Sequence, residues 1–168
     1  RREEGLVRHI GVTNFDTGHL RVLVGDGIKL VSNQVSFSVL DRRAAGAMSE
    51  FCLTHDIRLL AYGTLAGGLL SGRWLGAAEP DTLSDWSRMK YKRFIDAIGG
   101  WAVFQSILST LDQIARKHDA TLSNVATRWV LDQPAVAATI IGARLGESEH
   151  RAANLKLFAL CLDDEDRA

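Results

Sequence analysis

The chain has 168 residues, of which 46% are hydrophobic and 24% charged, a composition that suits one globular domain with a buried core. Twenty Lys and Arg balance twenty Asp and Glu, so no excess charge favours nucleic acid or an acidic membrane surface. No apolar run approaches the roughly 20 residues of a membrane span and no signal peptide is visible, which predicts a cytoplasmic protein without a membrane or nucleic-acid partner.

Short apolar strands alternate with helix-like segments along the first part of the chain. The predicted strands cover residues 7–13, 29–39 and 57–62, and the predicted helices between them cover 17–27 and 41–56. Asp16 suits the cap of the first helix, and Gly25 or Gly27 its end. This alternation is typical of parallel strands that are connected by helices.

A long segment, residues 63–100, follows the third strand. Its glycine pairs and Pro80 interrupt it, so we expect short helices and a functional loop there. The side chains of this segment with the reach to touch a ligand are Trp86, Lys90, Tyr91 and Lys92. We expect these side chains to pack a lid rather than to contact substrate.

The remaining elements complete the alternation. Two amphipathic helices are predicted over 101–119 and 121–133, then a strand over 135–143 and a last helix over 147–159. Four strand–helix units in this order fit either a doubly wound sheet or half of a (β/α)8 barrel, because a full barrel needs about 200 residues or more. The order of the elements does not separate the two.

The stretch AYGTLAGGLLSGR at 61–73 is rich in glycine and nearly matches a P-loop, with four residues between Gly67 and Gly72. Arg73 and Trp74 stand where a P-loop has Lys and Ser or Thr, which argues against nucleoside triphosphate hydrolysis. No G-x-G-x-x-G follows a strand either. Small residues let backbone N–H groups approach a phosphate, so a phosphate site and a plain surface turn both fit this stretch.

Other predicted strands also end in residues suited to binding. These are Thr13 and Asn14, Asn33 and Gln34, and Gly142, Ala143 and Arg144. The carboxyl ends of parallel strands open on one face, so we expect these groups to lie together. Side-chain amides both donate and accept, as recognition of a carboxamide requires, and Tyr62 offers a ring on which a heterocycle stacks. Arg144 and the following helix suit a phosphate or adenine end.

No complete catalytic constellation is visible in the sequence. The histidines, none of them at zinc-ligand spacing, are His9, His19, His55, His118 and His150. We expect them to be packed or solvated, and we expect DDED at 163–166 to be a solvated acidic turn rather than a metal site. Cys52 and Cys161 are expected to be two buried, reduced thiols.

Several stretches together resemble the aldo-keto reductases. They are VRHIGVTNF, VSNQVSFSVLDRR, LLAYGTLAGGLLSGRWLG, ATRWVLDQPAVAATIIGAR and SEHRAANL, and they cover essentially the whole chain. The forms AYGTLAGG and GARLGESEH are similar to those of a bacterial and fungal branch of this family. The resemblance implies a (β/α)8 TIM barrel, NADP(H) as the usual cofactor with NAD(H) as an alternative, and reduction of small aldehydes or ketones.

The resemblance also implies which part of the barrel this is. GVTNF resembles the end of the family's fifth strand and GARL the end of its eighth, so residues 1–168 are expected to be a partial domain, the C-terminal half with strands five to eight. The family's catalytic Asp, Tyr, Lys and His come from strands one to four, and none of those motifs is present. We therefore expect no catalytic residue in this chain, which alone is expected to be inactive.

The resemblance further implies cofactor contacts, residue by residue. The positions that match those holding the nicotinamide carboxamide are Thr13, Asn14 and Gln34. The aromatic on which the nicotinamide stacks matches Tyr62. The loop over the pyrophosphate contains Gly63, Leu65, Gly67 and Arg73. The segment that meets the adenosine phosphate contains Gly142, Ala143, Arg144, Ser148, His150 and Asn154, with Ala153 where an acidic residue is usual.

The sequence is also compatible with two other functions. The chain is alternatively a non-catalytic module that binds or senses NADP(H), or a phosphate-binding half-barrel from an unrelated sugar-phosphate enzyme. A half-barrel also exposes two strand edges, which favours self-association.

Overall fold

Four parallel strands form one sheet in the computed structural model, which describes residues 4–83, 85–142 and 150–167. The strands are β1 (Ile10–Thr13), β2 (Leu30–Ser36), β3 (Arg58–Tyr62) and β4 (Val136–Ile140). They lie in the order β1-β2-β3-β4, and each pairs in parallel with its neighbour in the sequence. The predicted parallel α/β sheet is therefore confirmed. A doubly wound sheet reverses its strand order at a switch point, and this sheet does not.

Seven α-helices connect and cover the described strands. They are α1 (Thr17–Gly25), α2 (Ala47–Thr54), α3 (Trp86–Ala97), α4 (Trp101–Lys117), α5 (Leu122–Leu131), α6 (Arg151–Leu155) and α7 (Asp164–Arg167). Short 3-10 turns cover Ala66–Gly68, Gly72–Trp74 and Lys156–Phe158. The Asp16 side chain caps α1 by accepting the N–H of His19 at 2.9 Å, and the helix ends at Gly25, as predicted.

Several elements are shorter or longer than the sequence predicts. The second helix begins at Ala47 rather than at 41, because Ser38 and Asp41 pair their backbones in an isolated antiparallel bridge before it. The long segment contains the 12-residue helix α3 in addition to the two 3-10 turns that follow β3. The predicted last helix appears as α6 and a 3-10 turn, and its residues 147–149 lie outside the described residues.

The helices bury one face of the sheet and leave the other open. Val35, Leu59 and Ala61 pack against α1, α2 and α5 in one hydrophobic cluster, and α3, α4 and α5 enclose a second. The strand residues on the other face are Gly11, Thr13, Ser32, Gln34, Ser36, Arg58, Leu60, Tyr62, Ala138 and Ile140. Each of them is half-buried or exposed. Parallel sheets usually have both faces covered, and in this sheet the described helices cover only one of them.

The two cysteines differ in environment. Cys52 is buried in α2, as predicted, and burial raises the pKa of its thiol to about 11. Cys161 is exposed, so the prediction of two buried thiols is wrong for this residue. Leu160 and Leu162 alternate inward along a non-helical stretch, and this alternation directs the residue between them outward.

No single helix among residues 4–83, 85–142 and 150–167 is long and apolar enough to cross a membrane. Among the described residues, only α3 and α4 taken together have the length and apolar composition of a membrane span, and their axes are bent by 97° relative to each other.

Candidate functional site

Three strand ends meet at the carboxyl edge of the sheet. Asn14 directly follows β1 with a left-handed backbone, φ 59°, and its N–H donates to the carbonyl of Gln34 at 2.8 Å. The hydroxyl of Tyr62 donates to Oδ1 of Asn14 at 2.9 Å. Thr13 pairs with Gln34 in the sheet register. We call Thr13, Asn14, Gln34 and Tyr62 the strand-end cluster; their predicted proximity is what the structure shows.

The strand-end cluster has free hydrogen-bonding groups that suit a carboxamide. Within the described part of the chain, the side-chain amide of Gln34 and Nδ2 of Asn14 have no protein partner at hydrogen-bond distance. Two amides with open donors and an open acceptor complement a ligand amide. The half-buried ring of Tyr62 beside them offers an aromatic surface. This donor set fits the nicotinamide end of a dinucleotide.

Asn33 does not belong to the strand-end cluster, so its predicted place beside Gln34 is wrong. Successive strand residues point to opposite faces, and Asn33 is fully buried on the helix-covered face. Its Nδ2 donates to the carbonyl of Phe15 at 2.8 Å, which ties the turn after β1 to β2. Asn33 therefore holds the backbone next to Asn14 in place. Its alternation with the buried Val35 is the sequence signal that distinguishes it from Gln34.

The glycine-rich stretch is packed closely against α3 at two of its glycines. A Cβ on Gly63, which has φ +71°, would lie 2.3 Å from the hydroxyl oxygen of Tyr91. A Cβ on Gly67 would lie 2.9 Å from Oγ of Ser87. These two glycines therefore permit the close approach of α3, a role distinct from the phosphate contact predicted for this stretch. The backbone around Gly68 remains open, with nothing within 4 Å of an added Cβ.

Packing of α3 brings Lys90 to the strand-end cluster. Its ammonium lies 5.1 Å from the centroid of the Tyr62 ring and 5.2 Å from that of Tyr91. Lys92, two residues along α3, forms ion pairs with Glu79 and Asp96. Lys90 has no carboxylate partner in the described ranges. Tyr91 is buried, as expected for a side chain that packs this segment. Lys90 instead faces the strand-end cluster.

A buried carboxylate, paired with an exposed arginine, lies beside the same region. The Asp41 side chain is 1% exposed and accepts hydrogen bonds from Nε and Nη2 of Arg43 at 2.7 and 2.8 Å. Burial alone would raise the pKa of Asp41, but the hydrogen bonds from Arg43 outweigh it, and the pKa lies below its usual value. Burial also raises the pKa of the Tyr91 hydroxyl, with Tyr62 and Asp41 adding to the effect. Tyr91 is thus a neutral, poorly acidic group near Tyr62.

The other predicted cofactor residues are spread along the loops. Leu65 is half-buried, and its carbonyl accepts the N–H groups of Gly68 and Leu70. The exposed Arg73 stacks its guanidinium 5.5 Å from the Trp74 ring centroid. Gly142 and His150 are exposed, and Asn154 is half-buried in α6. Ala143, Arg144 and Ser148 lie outside the described residues.

The acidic stretch at 163–166 is more than a solvated turn, which corrects the prediction for it. Ligand atoms of His118, Asp163 and Asp166 lie within 4.8 Å of one another, and the Asp166 side chain is 3% exposed. The ammonium of Lys117 lies 2.6 Å from Asp163 and 2.9 Å from Asp166, so a cation is already paired with both carboxylates. Burial would raise the pKa of Asp166, but hydrogen bonds from Lys117 and His118 hold it well below its usual value.

Comparison with known proteins points to one family. The family model described as Aldo/keto reductase family matches residues 2–168. Flagellar radial spoke protein 5 of Chlamydomonas reinhardtii is 35% identical over 130 residues, which are 75% of this chain and 24% of that protein. NADH-specific methylglyoxal reductase of Escherichia coli is 25% identical over 171 residues, covering 98% and 48% of the two chains.

A solved structure agrees with these sequence relatives. A thermostable aldo-keto reductase in complex with the inhibitor epalrestat superposes with a TM-score of 0.69 and 27% identity. The match covers 98% of this chain and 48% of that one. The chain thus spans less than half the length of each of these three relatives.

Proposed function

Because the chain belongs to the aldo-keto reductase family, a family of oxidoreductases that use nicotinamide cofactors, we propose that it is the cofactor-binding half of an NADP(H)-dependent carbonyl reductase. In this proposal residues 1–168 are a partial domain, strands five to eight of a (β/α)8 barrel. The consecutive order of its strands and the 48% coverage of a related structure support that assignment. NAD(H) is the alternative cofactor, since one relative is named as NADH-specific.

The observation that carries the proposal is the hydrogen bond between Tyr62 and Asn14 above the backbone of Gln34. It fixes the oxygen of the Asn14 amide and leaves its Nδ2 free to donate to the carbonyl oxygen of a carboxamide. The Gln34 amide is placed to accept from the NH2 of that group, with the Thr13 hydroxyl nearby. The Tyr62 ring supplies the stacking surface.

The rest of the cofactor extends along the loops in this proposal. The turn that begins at Gly63 and includes Leu65, Gly67 and Arg73 covers the pyrophosphate. The adenosine phosphate lies toward Gly142, Ala143 and Arg144, with Ser148, His150 and Asn154 beyond them. The open backbone at Gly68 and the exposed Arg73 support a phosphate position on this loop.

The bound cofactor supplies the hydride, and a small aldehyde or ketone accepts it in the intact protein. The residues of this chain bind and orient the nicotinamide. A carbonyl that accepts hydride needs a positioned acid, and we assign no such acid here: Tyr62 stacks, and the pKa of Tyr91 is raised. The isolated chain is therefore proposed to bind cofactor without turnover, as a non-catalytic sensing module also would. Its cytoplasmic location stays a prediction.

The open face and the outer sides of β1 and β4, which pair with no other described strand, support a proposal about self-association. All four strands point the same way, so a twofold rotation about the barrel axis places β4 of one copy beside β1 of a second, in parallel. Both seams then pair and the closed sheet has no edge. We propose a second copy as the occupant of this face when the chain is alone.

Tryptophan fluorescence tests the proposed function, with the four tryptophans of the chain as reporters. We expect micromolar binding of NADPH and no consumption of NADPH with 4-nitrobenzaldehyde. Robust turnover of that aldehyde would contradict the proposal of an inactive half. Binding of sugar phosphates without binding of NADPH would favour an unrelated sugar-phosphate enzyme.

A further inference from the structure

Lys90 places a positive charge at the proposed nicotinamide site without forming an ion pair among the described residues. It lies above two aromatic rings and beside no carboxylate among the described residues. Two other basic side chains near it are engaged in ion pairs: Lys92 with Glu79 and Asp96, and Arg43 with Asp41. A positive charge therefore remains available at the Tyr62 ring.

The position of Lys90 is fixed by the packing of α3 rather than by chance contact. Tyr91 and Ile95 are buried in the core from this helix. Gly63 lacks the Cβ that would collide with Tyr91, and this allows the helix to sit against the end of β3. Residue 90 is thereby held next to Tyr62. Its flexible four-carbon stem still lets the ammonium move by a few ångströms.

The ammonium occupies the layer that a stacked ring would use. Stacked aromatic rings have centroids about 4.5–7 Å apart, and the Lys90 nitrogen lies 5.1 Å from the Tyr62 centroid. A nicotinamide on this ring displaces the ammonium sideways, to the edge of the stack. The stem of Lys90 keeps its charge there, close to the nicotinamide ring.

The two redox states of nicotinamide differ in charge, so the Lys90 ammonium interacts differently with each of them. The oxidised ring is a pyridinium cation, and the electron-rich face of Tyr62 attracts it for the same reason that it attracts the ammonium. Two positive charges that share one aromatic surface repel each other. The reduced ring is neutral and suffers no such repulsion. The pyrophosphate is common to both states and cancels in their comparison.

Resting on the proposed function, we propose that Lys90 is a specificity-determining residue that makes this site favour the reduced nicotinamide cofactor over the oxidised one. The repulsion at a separation of about 5 Å in the dielectric of water amounts to about fourfold in a dissociation constant. The same repulsion favours release of the oxidised cofactor.

The test is the ratio of the dissociation constants of NADP⁺ and NADPH, measured by fluorescence titration at low ionic strength. We expect Lys90→Met to lower this ratio about fourfold relative to the unaltered chain. Lys90→Arg keeps the charge and should keep the ratio. Lys92→Met removes an equal charge from the same helix, at a residue that is already ion-paired, and should also keep it. Added salt should shrink the ratio of the unaltered chain and not that of Lys90→Met.

A ratio unchanged in Lys90→Met would overturn the inference and leave the proposed function standing. Equal weakening of both cofactors would also overturn it, because Lys90 would then act on the shared phosphates. Failure of the unaltered chain to bind either cofactor would contradict the proposed function itself. Circular dichroism of each variant confirms that the helices remain folded.

Discussion

The hydroxyl of Tyr62 and Oδ1 of Asn14, 48 residues apart in the sequence, are joined by a hydrogen bond of 2.9 Å across the carboxyl edge of the sheet. The bond links the end of β3 to the turn after β1, with β2 between them. It orients an amide and a ring toward the same volume.

Tyr62 is expected to contribute to cofactor binding through its ring more than through its hydroxyl. Tyr62→Phe keeps the stacking surface and loses the bond to Asn14, so NADPH affinity should fall about two- to fivefold. Tyr62→Ala removes the ring as well and should weaken binding about tenfold or more. Fluorescence titration measures both. Equal losses in the two variants would show that the ring does not stack on the nicotinamide.

Asn33 and Gln34 are neighbours on opposite faces of β2 and should respond oppositely to the same substitution. Asn33→Leu leaves the carbonyl of Phe15 without its donor, so the free energy of unfolding in urea should fall by about 1–3 kcal/mol. Gln34→Leu on the open face should change unfolding little and weaken NADPH binding. If Asn33→Leu weakened binding and Gln34→Leu lowered stability instead, Asn33 rather than Gln34 would face the site.

Gly63 should tolerate a side chain less well than a glycine of the same backbone conformation. Gly76 has φ +73° and open space, so Gly76→Ala should cost only the left-handed strain, about 1–2 kcal/mol. Gly63→Ala adds the collision with Tyr91 and should cost about 1–3 kcal/mol more in urea unfolding. In a chain that already carries Tyr91→Ala, Gly63→Ala should cost less than it does in the unaltered chain, because the collision is absent. Equal costs at the two glycines would exclude close packing of α3.

Much of this arrangement follows from local sequence signals. The C-terminal boundary of the third strand, Tyr62, was predictable because an apolar run ends at Gly63. Asp16 and the Gly25 end of α1 were predictable from capping chemistry. The face of Asn33 and the exposure of Cys161 depend on which residue begins an alternating stretch. A shift of one residue reverses every side chain, so an error in where the alternation starts puts a residue on the wrong face.

The position of α3 could not be read from its own sequence. Its helix is polar on average and follows irregular turns, so nothing local says where it packs. The contact of Tyr91 with Gly63 joins residues far apart in the chain, and it decides where Lys90 lies. The sequence alone places Lys90 and Tyr91 in the same segment. The packing of α3 shows that both lie at the strand-end cluster.

Acid should weaken the fold partly through Asp166. Its pKa is lower in the folded chain than the ordinary value of 3.8, so it contributes stability above that pH. That contribution is lost as the pH falls below about 4 toward the folded pKa. Asp166→Asn should lower stability at pH 7 and flatten its pH dependence below pH 4. Urea unfolding across pH 2–7 measures this, and superimposable profiles of the two chains would exclude a role for the pair with Lys117.

The isolated chain should associate in pairs. Light scattering after size exclusion should give twice the mass of one chain at high concentration. Ile140 lies on the open face in the edge strand β4 and is 42% exposed. Ile140→Lys should give a monomer with unchanged helical content. A monomeric unaltered chain at all concentrations would contradict closure by a second copy.

An NMR titration of the ¹⁵N-labelled chain with NADPH, following the side-chain amides, tests most directly whether Asn14 and Gln34 bind the nicotinamide carboxamide. We expect the NH2 resonances of Asn14 and Gln34 to shift together and to saturate with one micromolar dissociation constant. Unshifted resonances at both residues, with NADPH bound elsewhere on the chain or not at all, would contradict it.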